Sequence, residues 1–255
     1  MKILNYTKFG IFRCYQYLLG CAEALRSGGV KSAAAYAGNV LKEMKEWRDP
    51  ERDAIRQATS DFDKKWGTDT SGVISPRFLG LTGENALFAN YYKGTRPRIF
   101  RVIMDSLDID PGDYEFVDYG SGKGLAVLLA SEYPFKKITG VELSPILHNI
   151  ATENLRTYAS PTQKCQKIEF LCMDATHHEL PQVPMVVYLF DPFPDAKVFK
   201  KWLSGIESSL TKNPRDVFIV YGRPSQREVV EASSFFAVLS EQEDAVVFRN
   251  RKNIK

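Results

Sequence analysis

The sequence has 255 residues, of which 44% are hydrophobic and 25% are charged, which is enough for one large α/β domain or for one domain with an appendage. Its 34 basic and 31 acidic side chains give a formal net charge of +3, and this balance argues against nucleic acid or an anionic membrane as a partner. The four cysteines contain no C-x-x-C pair and do not complete a zinc site with the three histidines, so we expect reduced thiols and no metal.

Residues 1–60 carry two apolar stripes at helical spacing. The stripes cover residues 12–25 and 33–47, and Gly28-Gly29 separates them. We expect a helical extension here, packed on the rest of the chain or on a second copy in a homodimer. The apolar run near the start is interrupted by basic residues, is too short to span a bilayer and lacks a small-residue cleavage site. We therefore expect a cytoplasmic protein without a membrane segment.

A polar, charge-rich connection follows at residues 61–72, and the sequence leaves open whether it closes over a site. A helix is predicted at 98–107. From residue 115 onward, short β-branched runs alternate with helical segments, a pattern that indicates a parallel sheet covered on both faces. The predicted strands are 116–119, 138–143, 168–173, 186–190 and 217–221, and the helices between them are 125–132, 145–158 and 198–210.

The end of the chain departs from this alternation. Residues 235–239 and 245–248 form two apolar runs separated only by a short polar stretch, which predicts a hairpin whose last strand is antiparallel. The predicted fold class is therefore α/β, with a doubly wound, mostly parallel seven-stranded Rossmann-like sheet that ends in an antiparallel hairpin. We assign this sheet to a domain of residues 61–255.

A glycine-rich turn joins the first predicted strand to its helix, in the run Asp118-Tyr119-Gly120-Ser121-Gly122-Lys123-Gly124-Leu125. Glycine permits unusual φ/ψ angles and lets a ligand approach the backbone closely. The dinucleotide fingerprint would need glycine or alanine in place of Leu125, and a P-loop would need serine or threonine in place of Gly124. The turn therefore predicts a nucleoside-bearing cofactor of another kind.

Two acidic residues follow the next strands, where open parallel sheets bind their ligands. Glu142, with Leu143 beside it, is predicted to bind the ribose hydroxyls of an adenosine; support of the following helix, which begins at Ser144-Pro145, is the alternative. Asp174 is predicted to accept the adenine amino group while the N–H of Ala175 faces a ring nitrogen. A loop-capping role for Asp174 remains open.

The fourth strand ends in Asp191-Pro192-Phe193. Pro192 fixes φ and makes this turn rigid, and Phe193 offers a flat face to a planar or cationic acceptor. The run resembles the [DN]-P-P-[YF] motif of methyltransferases that act on nitrogen, with one proline missing. A turn role for Asp191 is the alternative.

Taken together, these segments resemble a group of bacterial class I S-adenosylmethionine (SAM)-dependent methyltransferases of unassigned substrate. The resemblance runs from about residue 62 to Pro224. In that group, asparagine often stands in place of Asp191, and Y-x-N-P in place of Tyr221-Gly222-Arg223-Pro224. A looser resemblance is to seven-strand histone-lysine methyltransferases, in which the segment before the first strand closes over the cofactor; this implies roles for Tyr91, Tyr92 and Thr95.

The resemblance implies SAM as cofactor and methyl transfer to a nitrogen atom of a protein side chain or a small amine. Asp191 and Phe193 are the implied catalytic residues, and His177 and His178 are either a base or a solvated loop pair. The implied cofactor-binding residues are Tyr92, Asp118, Tyr119, Gly120, Ser121, Gly122, Glu142, Leu143, Asp174, Ala175 and Asp191.

Three alternatives remain. An RNA or DNA methyltransferase is disfavoured because the sequence lacks a basic stripe interleaved with aromatic residues. A nucleotide-binding oxidoreductase is disfavoured by Leu125 and by the terminal hairpin. A non-catalytic SAM-binding protein would use the N-terminal helices as its docking element.

Overall fold

The computed structural model describes residues 50–74, 79–81, 92–193, 195–243 and 245–251, together with the helical positions 22, 25–26, 29–31 and 34. The predicted stripes at 12–25 and 33–47 lie almost entirely outside these residues, and Tyr91 lies outside them. The chain divides into two compact units, Met1–Ala54 and Ile55–Lys255, and the predicted division at residue 60 stays a prediction. In the described part of the chain, no helix is long and apolar enough to cross a membrane.

A seven-stranded sheet forms the centre of the second unit. Its strands are β3 (Glu115–Tyr119), β4 (Ile138–Glu142), β5 (Ile168–Cys172), β6 (Met185–Phe190), β7 (Val217–Gly222), β8 (Phe236–Gln242) and β9 (Ala245–Asn250). Their order across the sheet is β5-β4-β3-β6-β7-β9-β8. The pairs among β3 to β7 are parallel, whereas β9 pairs antiparallel with both β7 and β8. The predicted fold class, including the antiparallel terminal hairpin, is confirmed.

Helices flank the strands, and a short two-stranded antiparallel sheet lies before them in the chain. The short sheet consists of β1 (Val73–Ile74) and β2 (Tyr92–Lys93). The helices are α1 (Pro50–Trp66), α2 (Pro97–Ser106), α3 (Leu125–Ala130), α4 (Pro145–Thr157), α5 (Ala196–Lys212) and α6 (Arg227–Glu231), with 3₁₀ turns at Pro111–Asp113 and Ala175–His177.

The core has two layers, one on each face of the sheet. Because successive strand residues point to opposite faces, Phe116 packs with α2 and α3 residues while Val117 packs with α5 residues. All but one of the five β3 residues are fully buried, as expected for a central strand covered on both faces. This burial explains why the strands are continuous apolar runs.

The direction of the chain across the sheet reverses at β3. The chain passes from β3 outward through β4 to β5, then crosses back to β6 on the other side of β3. In open α/β sheets a crevice forms at such a point, beyond the carboxyl ends of the strands. The fold therefore directs attention to the residues that follow β3, β4, β5 and β6.

Candidate functional site

The glycine turn leaves β3 and enters α3 through three left-handed residues. Gly120, Gly122 and Gly124 have φ angles of 76°, 56° and 86°, which explains why glycine recurs at these positions. A Cβ on Gly120 would lie 2.5 Å from Cβ of Pro192, and one on Gly122 would lie 2.4 Å from Cε2 of Tyr92. The glycines thus admit two side chains that themselves line the site.

A cavity opens beside this turn, at the carboxyl ends of β3 to β6. The volume of this cavity is about 210 Å³. The predicted site residues that line it are Tyr92, Gly120, Gly122, Glu142, Leu143, Asp174, Ala175, Asp191 and Phe193. The fold therefore brings most of the predicted residues, which are spread over a hundred positions of the sequence, to one place.

Glu142 is buried at the wall of this cavity. Its Oε2 accepts a hydrogen bond from the N–H of Gly122 at 2.8 Å, and its Oε1 accepts one from the N–H of Ser144 at 2.8 Å. Burial raises the pKa of the Glu142 carboxyl, and the N–H groups of Ser144, Gly122 and Leu143 oppose that rise. The carboxylate supports the start of α4, as the alternative interpretation expected, and each oxygen keeps a second lone pair for a ligand hydroxyl.

Three predicted residues, Asp118, Tyr119 and Ser121, are not among the described residues that line the cavity. The Tyr119 side chain points to the opposite face of the sheet, where its ring packs edge-on against Trp202 with centroids 5.4 Å apart. Its hydroxyl is 2.9 Å from Nδ1 of His178. The prediction that Tyr119 binds the cofactor stays a prediction, and its backbone leads from β3 into the glycine turn.

Asp118 lies at the end of β3 with 3% of its surface exposed. Burial raises the pKa of its carboxyl well above the usual range, and the Glu142 carboxylate raises it further. Burial and the neighbouring Glu142 carboxyl both disfavour the charged form of Asp118, and the stability of the fold does not require such an arrangement.

We expect the free energy of unfolding to fall as the pH rises through the elevated pKa of Asp118. The unfolded carboxyl releases its proton near pH 3.9, about the usual value, while the folded one retains it to higher pH. Between the two pKa values the folded state binds more protons, so stability decreases by up to about 1.4 kcal/mol per pH unit. Asp118→Asn should flatten this dependence in urea unfolding followed from about pH 4 to pH 8; an unchanged slope would contradict the account.

Asp174 has the capping role that the sequence left open, and it also lines the cavity. Its Oδ1 accepts a hydrogen bond from the N–H of Thr176 at 2.8 Å and so caps the turn Ala175–His177. Asp174, Ala175 and Thr176 all line the cavity. The Thr176 hydroxyl is buried and has no partner among the described residues. The capping hydrogen bond holds this segment in place and uses only Oδ1, so Oδ2 of Asp174 takes no part in it.

Reasoning from strand ends missed the cavity residues that helices and loops contribute. Val198 and Lys201 are three residues apart near the start of α5 and therefore share one helix face. This spacing could have predicted that the two side chains line the same site. Nζ of Lys201 is 3.4 Å from Nε2 of His177. The additional lining residues are Leu79, Leu81, Lys93, Val141, Leu147, Met173, Thr176, Phe190, Pro192, Val198 and Lys201.

Asp191 follows β6 with a left-handed backbone, at a φ of 52°. The Ser225 hydroxyl donates to its Oδ1, and the Tyr221 hydroxyl donates to the same oxygen at 3.4 Å. Burial raises the pKa of Tyr221 to about 12, so the phenol keeps its proton and remains a donor. Strand β7 and the chain that follows it therefore hold the Asp191 carboxylate at the cavity.

Phe193 closes the same end of the cavity. Its ring is 9% exposed and packs against Trp202 and Phe199, with centroids 5.5 Å and 6.0 Å away. These contacts fix the plane of the ring, so the Phe193 side chain can present a rigid face to whatever occupies the cavity.

Comparison with known proteins gives similarity over part of the chain. No family model matches the sequence. A Caenorhabditis elegans histone-lysine N-methyltransferase specific for H3 lysine-79 is 31% identical over 112 residues, which make up 43% of this chain and 11% of that protein. The chain thus spans about a tenth of the length of this curated relative.

Two solved structures are similar over part of their length. TrmN from Thermus thermophilus is 20% identical, with a TM-score of 0.46, over 62% of this chain and 49% of that chain. An RNA methyltransferase from Salinibacter ruber in complex with S-adenosyl-L-homocysteine is 18% identical, with a TM-score of 0.43, over 63% of this chain and 95% of that chain. The strand order and the antiparallel terminal hairpin of this sheet are those of the Rossmann-like fold that the sequence predicts.

Proposed function

We propose that this protein transfers a methyl group from SAM to a nitrogen acceptor, a protein side chain or a small amine. The observation that carries the proposal is the meeting of the glycine turn, Glu142, Asp174 and Asp191 at one cavity beyond the carboxyl ends of the strands. The sequence similarity to a histone-lysine N-methyltransferase supports it over 112 residues.

The residues of the cavity fit the chemistry of an adenosine-containing cofactor. Glu142 offers carboxylate lone pairs for the two ribose hydroxyls, and Asp174 with the N–H of Ala175 offers an acceptor and a donor for the edge of adenine. Glycine at positions 120 and 122 makes room for Pro192 and Tyr92, which line the cavity. When bound, SAM supplies a methyl group on a sulfonium, an activated leaving group.

The contribution of the protein is then orientation and exclusion of water. Asp191, held by Ser225 and Tyr221, can accept a hydrogen bond from an acceptor amine and offset the positive charge that develops on nitrogen. Phe193 and Phe190 supply apolar lining at this end of the cavity. Alignment of two reactants in such a pocket can lower a barrier by roughly 7–11 kcal/mol.

Nucleic acid as the acceptor is the main alternative, and our expectation that it is not a partner stays a prediction. The net charge of +3 does not favour it. A non-catalytic protein that only binds SAM is the second alternative.

Labelled methyl transfer separates these possibilities. We expect that the protein, supplied with SAM labelled in its methyl group and a bacterial lysate, places label in a fraction that resists nuclease. Protease treatment would then distinguish a protein acceptor from a small amine. Label that nuclease removes would overturn the proposed acceptor in favour of nucleic acid, and retained binding of SAM with no label transferred would favour the non-catalytic alternative.

A further inference from the structure

The chain that follows α1 is organised around one carboxylate. Oδ1 of Asp63 accepts hydrogen bonds from the Thr68 hydroxyl at 2.8 Å and from the N–H and hydroxyl of Thr70 at 2.7 Å each. Its Oδ2 accepts from the N–H of Ser71 at 2.8 Å. Residues 67–72, which we call the strap, therefore have a conformation fixed by their own neighbours in sequence.

Lys123 joins the strap to the glycine turn. Its side chain is 6% exposed, and its Nζ lies 2.7 Å from Oδ1 of Asp69 and 2.9 Å from the carbonyl oxygen of Ser71. Asn154 of α4 completes the junction. It accepts from the N–H of Asp69 at 2.7 Å and donates to the carbonyl oxygens of Asp69 and Lys123, at 3.0 Å and 2.9 Å.

Tyr92 extends the same network to the cavity. Its hydroxyl donates to the carbonyl oxygen of Thr70 at 2.6 Å, and its ring packs on Gly122 so closely that no Cβ fits there. Nζ of Lys123 lies 5.5 Å from the centre of that ring. Tyr92 lines the cavity, whereas Lys123 does not appear among the described residues that line it.

A lysine in a glycine-rich turn is often a ligand of a phosphate, but the contacts of Lys123 assign it a different task. Its ammonium is engaged by one carboxylate and one carbonyl oxygen of the strap. Loss of this ammonium would leave the strap without its ionic link to the turn and would remove a cation from the Tyr92 ring.

We propose that Lys123 is a positioning residue of the cofactor site: through Asp69 and Ser71 it anchors the strap to the glycine turn, and the strap so anchored holds Tyr92 against Gly122 as a wall of the cavity. The inference rests on the proposed function, since the ligand of that cavity is taken to be SAM. Lys123 acts without touching the cofactor. A coupling of this kind between two sites commonly changes affinity by about 5-fold to 150-fold.

The test compares the affinity for S-adenosylhomocysteine, measured by calorimetry, among wild type, Lys123→Met, Lys123→Arg, Asp69→Asn and the double variant Asp69→Asn/Lys123→Met. We expect Lys123→Met to weaken binding roughly tenfold, Lys123→Arg to restore part of the loss, and the double variant to bind as weakly as Lys123→Met alone. Lys136→Met is the matched control, because Lys136 is half-exposed and its ion-pair partner Asp113 lies 3.8 Å away on the surface.

Hydrogen exchange supplies a second readout. The amides of Asp69, Thr70 and Ser71 are hydrogen-bonded in the strap, and we expect them to exchange faster in Lys123→Met than in wild type. If Lys123→Met does not fold, the same two measurements on Asp69→Asn decide, since the Asp69 side chain is 64% exposed.

Wild-type affinity in Lys123→Met, or in Asp69→Asn where that variant decides, would overturn the inference and leave the proposed function intact. Two results together would also overturn it. In these, Lys123→Arg binds as weakly as Lys123→Met, and the losses of affinity in Asp69→Asn and Lys123→Met add in the double variant. Failure of the wild-type protein to bind S-adenosylhomocysteine would overturn the proposed function, and the inference with it.

Discussion

Asp191→Ala is expected to lower the rate of methyl transfer by about a hundred-fold to a thousand-fold, the range typical of losing one oriented polar group at a reacting centre. Binding of S-adenosylhomocysteine should change little. The carboxylate is held at the cavity by Ser225 and Tyr221, so its removal takes away an oriented acceptor and leaves most of the lining in place. The measurement is single-turnover transfer of labelled methyl groups with cofactor at saturation.

Two further variants separate the effect of losing the Asp191 carboxylate from the effect of changing a residue with a left-handed backbone. Asp191→Asn keeps an acceptor oxygen and a residue that tolerates a left-handed backbone, so we expect a smaller loss than with alanine. Glu243→Ala is the matched control, because Glu243 is also an acidic residue with a positive φ, 41°, but it does not belong to the described lining of the cavity. Equal turnover in wild type and Asp191→Ala would remove Asp191 from the account.

Glu142→Gln is expected to weaken binding of S-adenosylhomocysteine by about 10-fold to 150-fold. This range corresponds to the roughly 1.5–3 kcal/mol that a hydrogen bond to a charged group contributes. The substitution keeps the size of the side chain but removes the charge and one of the two acceptors that now face Gly122 and Ser144. Calorimetric titration of folded wild type and variant measures the change.

Glu169→Gln is the control for this comparison. Glu169 lies on the neighbouring strand β5, is 41% exposed and pairs with Lys137 at 2.6 Å on the surface. It should bind S-adenosylhomocysteine as wild type does. Undiminished affinity in Glu142→Gln would show that the carboxylate does not bind the ribose, even if the cofactor still occupies the cavity.

The sequence predicted the sheet and most of the cavity because both depend on local patterns. Apolar strands alternating with helices fixed the parallel order, and the residue after each strand was predictable because the carboxyl ends of parallel strands meet at one edge. Glu142, Asp174 and Asp191 were found in this way, and each lines the cavity.

The missed features depend on side-chain direction and on contacts between distant segments. The Tyr119 side chain faces α5 because it lies two positions after Val117 and so on the same face of β3. The motif alone did not reveal this direction. Lys201 enters the cavity from a helix that strand ends do not describe. Lys123 forms an ion pair with Asp69, which lies 54 positions earlier in the sequence, and no local spacing predicts such a pair.

Everything proposed for this protein depends on binding of SAM in the cavity beside the glycine turn. The decisive experiment is calorimetric titration of S-adenosylhomocysteine into the wild-type protein, with reduced nicotinamide adenine dinucleotide titrated in parallel. We expect micromolar binding of S-adenosylhomocysteine at one site per chain and no binding of the dinucleotide. Absence of S-adenosylhomocysteine binding would overturn the proposed function, and binding of the dinucleotide in its place would favour a nucleotide-binding oxidoreductase.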